Sequence, residues 1–424
     1  MNEQAVSELT PDERRALFER DAGIDAVRED VADIVDRVRT EGDVALREFC
    51  EEFDDVSVGS FDVTDAAAEA HEAVGEEVRA AIETAAENVR AFHEQQVPEN
   101  WTTESDGRTL GRRFYPLDSA GVYVPGGTAA YPSSALMGII PAKAAGVERV
   151  VAVTPPAEEI NPVTLAAIHE AGADEVYQVG GAQAIAALAH GTESIGSVDV
   201  IVGPGNRWVT AAKAEVRGDV RIDMLAGPSE VLVLADDNAD PEVLAAELIA
   251  QAEHDPNSAV VAVTDDESLA AATVDAVEAQ VDDRERADIV REALDNDSSG
   301  VFHARSMSEA VLFANEFAPE HLYVWTDDEE SLLDRIENYG SAFLGEFSPV
   351  AAGDYARGTN HVLPTNGDAR IASGLSVDTF VRSATVQRLS EDGLADLRET
   401  ITTLADAEGL EAHAHSVDSR FEDW

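Results

Sequence analysis

The sequence predicts an α/β protein with two parallel-sheet lobes and helical additions at its N- and C-terminal ends. Three observations predict it. Short Val/Ile/Ala runs alternate with helical segments from about residue 118, the runs end in glycine-rich turns, and a second series of the same kind starts near residue 230. Apolar runs of this length between amphipathic segments read as buried parallel strands joined by crossover helices.

Residues 1 to about 95 carry the helical opening, in which Val27, Val31, Ile34, Val35 and Val38, then Leu46 and Phe49, recur on one face with acidic and arginine residues between them. The first strand series comprises Ala120-Gly-Val-Tyr-Val-Pro-Gly-Gly127, Val150 to Thr154, Val176 to Gly181 and Val198 to Gly203, separated by helical stretches such as Pro162 to Ala171 and Ala182 to Ala189. The second comprises Glu230 to Ala235, a helix from about Pro241 to Glu253, Ala259 to Thr264 and a further helix. Val-Val-Ala-Val-Thr occurs at 150–154 and again at 260–264. That repeat suggests two similar lobes but is a weak sign of duplication, because buried parallel strands converge on such composition. After about Ser376 the pattern is again helical, from Leu394 through Leu404, before a His-containing acidic tail.

Composition narrows the classes. With 29 Lys plus Arg against 85 Asp plus Glu the 424-residue chain carries a formal charge of -56, which excludes nucleic acid as an expected partner. A hydrophobic content of 44% excludes a disordered acidic chain and predicts two or three domains. The acidic surplus is spread along the whole chain and only Lys143 and Lys213 accompany the arginines, as on a halophilic surface that stays soluble where salt shortens the Debye length. Cys50 is the single cysteine, so neither an intramolecular disulfide nor a thiolate zinc site is available and any metal must use N and O ligands. Glu3, Glu8 and Asp12 stand where a signal peptide would be basic, and no apolar stretch approaches a membrane span, so a cytoplasmic, membrane-free protein is expected.

Four segments carry candidate chemistry. Gln251 and His254, three apart at a helix end, share a face and can ligate a borderline cation; a helix-end His favoured by the dipole is the plainer reading. Glu320-His321 follows a proline and precedes an apolar strand, a pair suited to proton transfer near neutral pH or simply a charged turn. The irregular segment from Gly353 to Thr365 offers Asp354 as an anionic ligand and His361 as a polar contact, or is a surface loop. His413 and His415 lie in a tail that terminal disorder would explain equally well. The glycine turns at 120–127, 180–183 and 203–206 sit where open α/β sheets bind ligands, although none is a Gly-x-Gly-x-x-Gly fingerprint. Lys143 and Lys213 are open to a site role or to chance survival.

In this order, Val-Tyr-Val-Pro-Gly-Gly, Gly-Gly-Ala-Gln-Ala-Ile-Ala, Gly-Pro-Gly-Asn, Ala-Gly-Pro-Ser-Glu, Gln-Ala-Glu-His, Ala-Pro-Glu-His-Leu, the Gly-Asp-Tyr to His-Val-Leu-Pro-Thr loop and Glu-Gly-Leu-x-Ala-His resemble the histidinol dehydrogenase family over about residues 20–415. The resemblance implies oxidation of L-histidinol to L-histidine through L-histidinaldehyde with two NAD+, the last step of histidine biosynthesis, and one Zn2+ per subunit. It implies metal ligands Gln251, His254, Asp354 and His413, an acid/base pair Glu320 and His321, substrate contacts Ser229, His361 and Glu408, and NAD contacts Tyr123, Gln183 and Asn206. In the implied fold two incomplete Rossmann-like domains form an intertwined homodimer, with His413 and Glu408 given to the partner's site. The expected boundaries are a helical extension at 1–16, a discontinuous domain at 17–122 and 232–375 carrying metal and catalytic residues, an inserted NAD domain at 123–231, and a tail at 376–424 crossing to the partner. Glu408-Gly-Leu-x-Ala-His fixes the register on His413 rather than His415. Trp208 after Gly203-Pro-Gly-Asn206 is larger than the resemblance leads one to expect. A zinc-dependent hydrolase on an α/β fold is the competing enzyme class, and a module binding cationic metabolites the competing non-enzymatic one.

Overall fold

The structure, a computed structural model, describes residues 1–126 and 130–421; Gly127, the last glycine of the first strand-end turn, lies outside the described residues. Its strands in chain order are β1 (Glu3–Ala5), β2 (Trp101–Ser105), β3 (Arg108–Pro116), β4 (Ser119–Tyr123), β5 (Arg149–Thr154), β6 (Glu175–Gln178), β7 (Val200–Val202), β8 (Arg221–Ile222), β9 (Glu230–Ala235), β10 (Ala259–Thr264), β11 (Gly300–His303), β12 (His321–Trp325), β13 (Ser341–Leu344) and β14 (Val381–Leu389). They form three sheets, ordered β6-β5-β4-β7-β8, β1-β11-β10-β9-β12-β13 and β14-β3-β2.

The first two sheets are parallel throughout. Counted from its own first strand, the five-stranded sheet runs 3-2-1-4-5, and β9 to β13 repeat that order with β1 added at the edge. Both therefore follow Rossmann-like winding but stop one strand short of the six-strand order. The expected pair of incomplete Rossmann-like lobes is what the strand order describes. β9 and β10 are buried at every residue, so from Val231 to Ala235 and from Ala259 to Val263 each reads as an unbroken apolar run rather than an alternating one.

The chain divides into two compact units. The first comprises Met1–Gln96 and Leu117–Phe380 and holds both parallel sheets; the second comprises Val97–Pro116 and Val381–Trp424. In the first unit, helices Arg28–Glu41 and Asp43–Phe53 place Val31, Ile34, Val38, Leu46 and Phe49 in one core with Val151, Val153, Ile185 and Leu188 of the five-stranded lobe. Local chemistry sets the helix that carries Gln251: the Asp240 side chain accepts from the Glu242 N–H and Pro241 opens helix Pro241–Ala252, a favourable N-cap and first position. No helix among the described residues is long and apolar enough to cross a membrane.

The second unit differs from the sequence expectation of a helical tail. β14 pairs antiparallel with β3 over nine residues, and β2 pairs with β3. β2 and nearly all of β14 are exposed and β3 is mostly so, and neither face imposes the period-two alternation by which a strand is read from sequence. Helices Glu391–Ala407 and Glu411–Asp418 complete the unit. β1 was likewise hidden in the helical opening, being three residues at a sheet edge.

Candidate active site

The proton-transfer pair lies at the amino ends of β9 and β12, where the second parallel sheet changes winding direction. Helix Met307–Phe317 ends on Ala318, whose φ of 51° lies in the left-handed region, and Pro319 then feeds Glu320 and His321 into β12. Both side chains are buried. The backbone of Glu230 holds both: its N–H donates to Glu320 Oε2 at 2.8 Å, and its carbonyl accepts from His321 Nδ1 at 3.0 Å. A carbonyl can only accept, so Nδ1 carries the proton and Nε2 is left with a free lone pair. Nε2 is buried and has no hydrogen-bond partner.

Burial pushes the His321 imidazole down to about 4, against the raising effect of its bond to Glu230, and so keeps it neutral. Burial also raises the Glu320 carboxyl well above the usual carboxylate range, opposed by the Glu230 N–H and reinforced by the charges of Glu230 and Asp354. A neutral imidazole and a carboxylate made more basic by burial thus lie side by side, with Glu320 Oε2 3.5 Å from His321 Nδ1.

Beside them stands an N/O donor set. Asp354 Oδ1 lies 3.7 Å from His321 Nε2 and 4.0 Å from His361 Nδ1. His361 Nδ1 donates to the Asp354 carbonyl at 3.0 Å, and its Nε2 stands 3.4 Å from Ser134 Oγ at the start of helix Pro132–Ala145 of the other lobe. Burial, aided by the charge of Glu247, raises the Asp354 carboxyl to about 7. His254, two residues past the end of helix Pro241–Ala252, is close enough to lower the His321 and His361 pKa values, the latter to about 4 mainly through burial. His254 is exposed, and desolvation by the surrounding protein lowers its own pKa. Gln251, one turn earlier on the same helix, is buried, and its Nε2 has no partner. Gln251 and His321 each leave a buried polar atom without a hydrogen-bond partner, and the Gln251 amide oxygen, the His254 ring and the Asp354 carboxyl are N and O donors of the kind that suit a divalent cation.

The residues of the implied NAD site gather at the carboxyl edge of the five-stranded sheet. Tyr123 ends β4, and its hydroxyl accepts from the Gly181 N–H at 3.1 Å; burial raises its pKa to about 12, so it stays a neutral phenol. Gln183 is buried in the first turn of helix Gly181–His190. Asn206 is exposed and caps helix Arg207–Val216, its Oδ1 accepting from the N–H groups of Trp208 (3.0 Å) and Val209 (3.2 Å). Gly203 has a φ of +111°, and a Cβ there would lie 2.2 Å from the Tyr123 carbonyl oxygen, so only glycine fits.

Lys213 holds this turn from behind. It is buried, and Nζ donates to the Gly203 carbonyl at 2.5 Å and to Asp223 Oδ1 at 2.7 Å, while Asp223 Oδ2 accepts from the Gly203 N–H at 2.8 Å. Lys143 instead pairs with Asp174 at 3.0 Å at the surface of the same lobe. Ser229 is half-buried immediately before β9. Glu408 and His413 are exposed within the second unit, at the end of helix Glu391–Ala407 and on helix Glu411–Asp418, the helix that also carries His415. A separate cluster brings possible ligand atoms of His71, Glu83 and Glu170 within 4.8 Å of one another, with His71 Nε2 3.2 Å from Glu170 Oε2; it includes none of the residues above.

Two incomplete Rossmann-like lobes, a neutral buried imidazole and an N/O donor set define an α/β enzyme equipped for acid–base chemistry. The profile of the family described as histidinol dehydrogenase matches residues 18–421, and the chain belongs to that family. The histidinol dehydrogenase of Haloarcula marismortui is 71% identical over 422 residues, and that of Halobacterium salinarum 68% identical over 424, each match covering all of both chains. The crystal structure of histidinol dehydrogenase from Elizabethkingia anophelis superposes with a TM-score of 0.94 at 38% identity, covering 99% of this chain and 98% of that one. The histidinol dehydrogenase of Natronomonas pharaonis is 66% identical over 422 residues.

Proposed function

We propose that this protein oxidises L-histidinol to L-histidine through L-histidinaldehyde, using two NAD+ and one zinc ion per subunit in the cytoplasm. The observation that carries the reading is the buried, partnerless Nε2 of a neutral His321 set 3.7 Å from Asp354, in a chain of this family. Gln251, His254 and Asp354 would hold the metal, and His413 of a second subunit would complete the set. When bound, zinc anchors the amine and imidazole of the substrate and NAD+ accepts hydride.

In the first oxidation His321 Nε2 takes the hydroxyl proton as the carbinol carbon gives up its hydride. Glu320 then takes a proton from water as the water oxygen bonds to the aldehyde carbon, and His321 returns its proton to the former carbonyl oxygen, giving a neutral hydrate and a free imidazole. His321 removes a hydroxyl proton from the hydrate as the second hydride leaves, which produces the carboxylic acid. Ser229, His361 and Glu408 contact the substrate, the Glu408 carboxylate suiting a protonated or metal-bound amine. Tyr123, Gln183 and Asn206 face the dinucleotide, with Asn206 free to offer only its amide nitrogen because its oxygen is committed to the helix cap.

A homodimer is supported by the second unit, where Trp101, Leu110, Tyr115, Val386, Leu389, Leu404 and Leu410 are exposed. That much exposed apolar surface marks an interface. The decisive assay, run in molar KCl, counts NADH formed per histidinol consumed: two support the proposal, and none would favour the hydrolase reading. Lys213→Met should leave the Asp223 carboxylate buried and unpaired and loosen the Gly203 turn. The expected result is an NAD+ KM raised about tenfold, equivalent to roughly 1.4 kcal/mol, with the histidinol KM changed far less; steady-state kinetics with each substrate varied will show it.

A further inference from the structure

We infer that Arg20 and Glu230 act as a positioning pair for Glu320 and His321, an inference that rests on the acid/base assignment above. Neither residue touches the reacting atoms. Glu230 supplies the backbone N–H and carbonyl that orient Glu320 and set the His321 tautomer. Its side chain, 1% exposed, is gripped by the guanidinium of Arg20, itself 6% exposed: Nε donates to Oε1 at 2.7 Å and Nη2 to Oε2 at 3.0 Å. Such a two-pronged pair fixes direction as well as distance.

Arg20 reaches further than Glu230. Nη2 also donates to the carbonyl of Phe317 at 2.9 Å, and the guanidinium lies over the Phe317 ring at 3.8 Å from its centre. Phe317 is the last residue of the helix that delivers Glu320 through the left-handed Ala318. Nη1 donates to the Leu17 carbonyl and ties the arrangement to helix Pro11–Phe18. On the far side Glu230 Oε1 accepts from the Asn366 N–H at 2.6 Å, and Asn366 follows the loop that bears His361. One ion pair thus ties the approach to Glu320, the start of β9 behind Ser229 and the end of the His361 loop.

A buried pair of this kind is costly in desolvation and would be matched in stability by apolar side chains, so geometry is the benefit it offers here. Glu230 also adds negative charge beside Glu320, and Arg20 balances it.

The test compares Arg20→Met, the neutral pair Arg20→Met with Glu230→Gln, and Arg20→Lys, all in molar KCl with wild-type protein alongside. Arg20→Met should lower kcat by about 30-fold or more with the histidinol KM and metal content changed less than about threefold, because binding groups stay while the base is displaced. The neutral pair should recover the thermal midpoint lost by Arg20→Met yet keep kcat at least about tenfold down. Recovery of kcat together with the midpoint, or an Arg20→Met kcat within twofold of wild type, would overturn the inference. If neither methionine variant folds, Arg20→Lys decides: a folded protein with kcat down about threefold or more supports positioning, and wild-type kcat refutes it. An inactive wild-type protein would refute the functional reading instead, so the two failures are distinguishable.

Discussion

Replacing His321 by Asn should lower kcat by about three orders of magnitude, within the range that a general base contributes, while metal content and histidinol affinity stay within a few-fold of wild type. Asn keeps a donor able to reach the Glu230 carbonyl, which His321 Nδ1 now occupies at 3.0 Å, so the local fold has a reason to persist. What is lost is the Nε2 lone pair, held free by the Nδ1 bond and neutral by burial. The expected pattern separates the base from the metal ligands: kcat and kcat/KM fall together because the interaction is made in the transition state, not in the ground state. Rapid-quench or stopped-flow NADH formation checks it, and a variant limited instead by weak histidinol binding would assign His321 to anchoring.

A mixed-subunit experiment carries the second large effect. His321→Asn and His413→Ala homodimers should each be nearly inactive. Unfolded together at equal amounts and refolded in molar KCl, they should regain about a quarter of wild-type activity by random pairing, since half the dimers are mixed and each holds one intact site out of two. The intact site combines His321 of one subunit with His413 of the other. If His413 served its own subunit, both sites of every mixed dimer would stay broken and no activity would return. The exposure of His413 and Glu408 in the second unit, together with its exposed apolar side chains, leads to the first outcome.

Much of the first unit could be read from residue pattern. Buried parallel strands announce themselves as unbroken apolar runs, as at Val231 to Ala235 and Ala259 to Val263, and the glycine turns mark their ends. The three-stranded sheet of the second unit escaped, because strands such as Val381–Leu389 are exposed on both faces and carry no alternation. The site divides in the same way. His254, Glu320, His321, Asp354 and His361 stand in motifs dense in chemistry, and the fold brings them together. The support behind them was not visible. Glu230 sits at the end of Ala226-Gly-Pro-Ser-Glu230 and acts through its backbone, which leaves no side-chain signature, and Arg20 is one arginine in an amphipathic opening. Lys213 had one sequence signal, its survival in a chain with two lysines, but only its burial against Asp223 and Gly203 shows what it holds. Ser134 joins the site through the meeting of two lobes, a contact between positions 227 residues apart.

The proposed chemistry needs one divalent ion held by Gln251, His254 and Asp354 next to His321. Metal content per subunit, measured after exhaustive dialysis in molar KCl for wild type and for Asp354→Asn, tests that claim. Wild type should retain one equivalent and Asp354→Asn essentially none, with the far-ultraviolet circular dichroism of the two unchanged. Retention of a full equivalent by a folded Asp354→Asn protein, lost instead when His71 or Glu170 is replaced, would place the metal elsewhere and contradict the account.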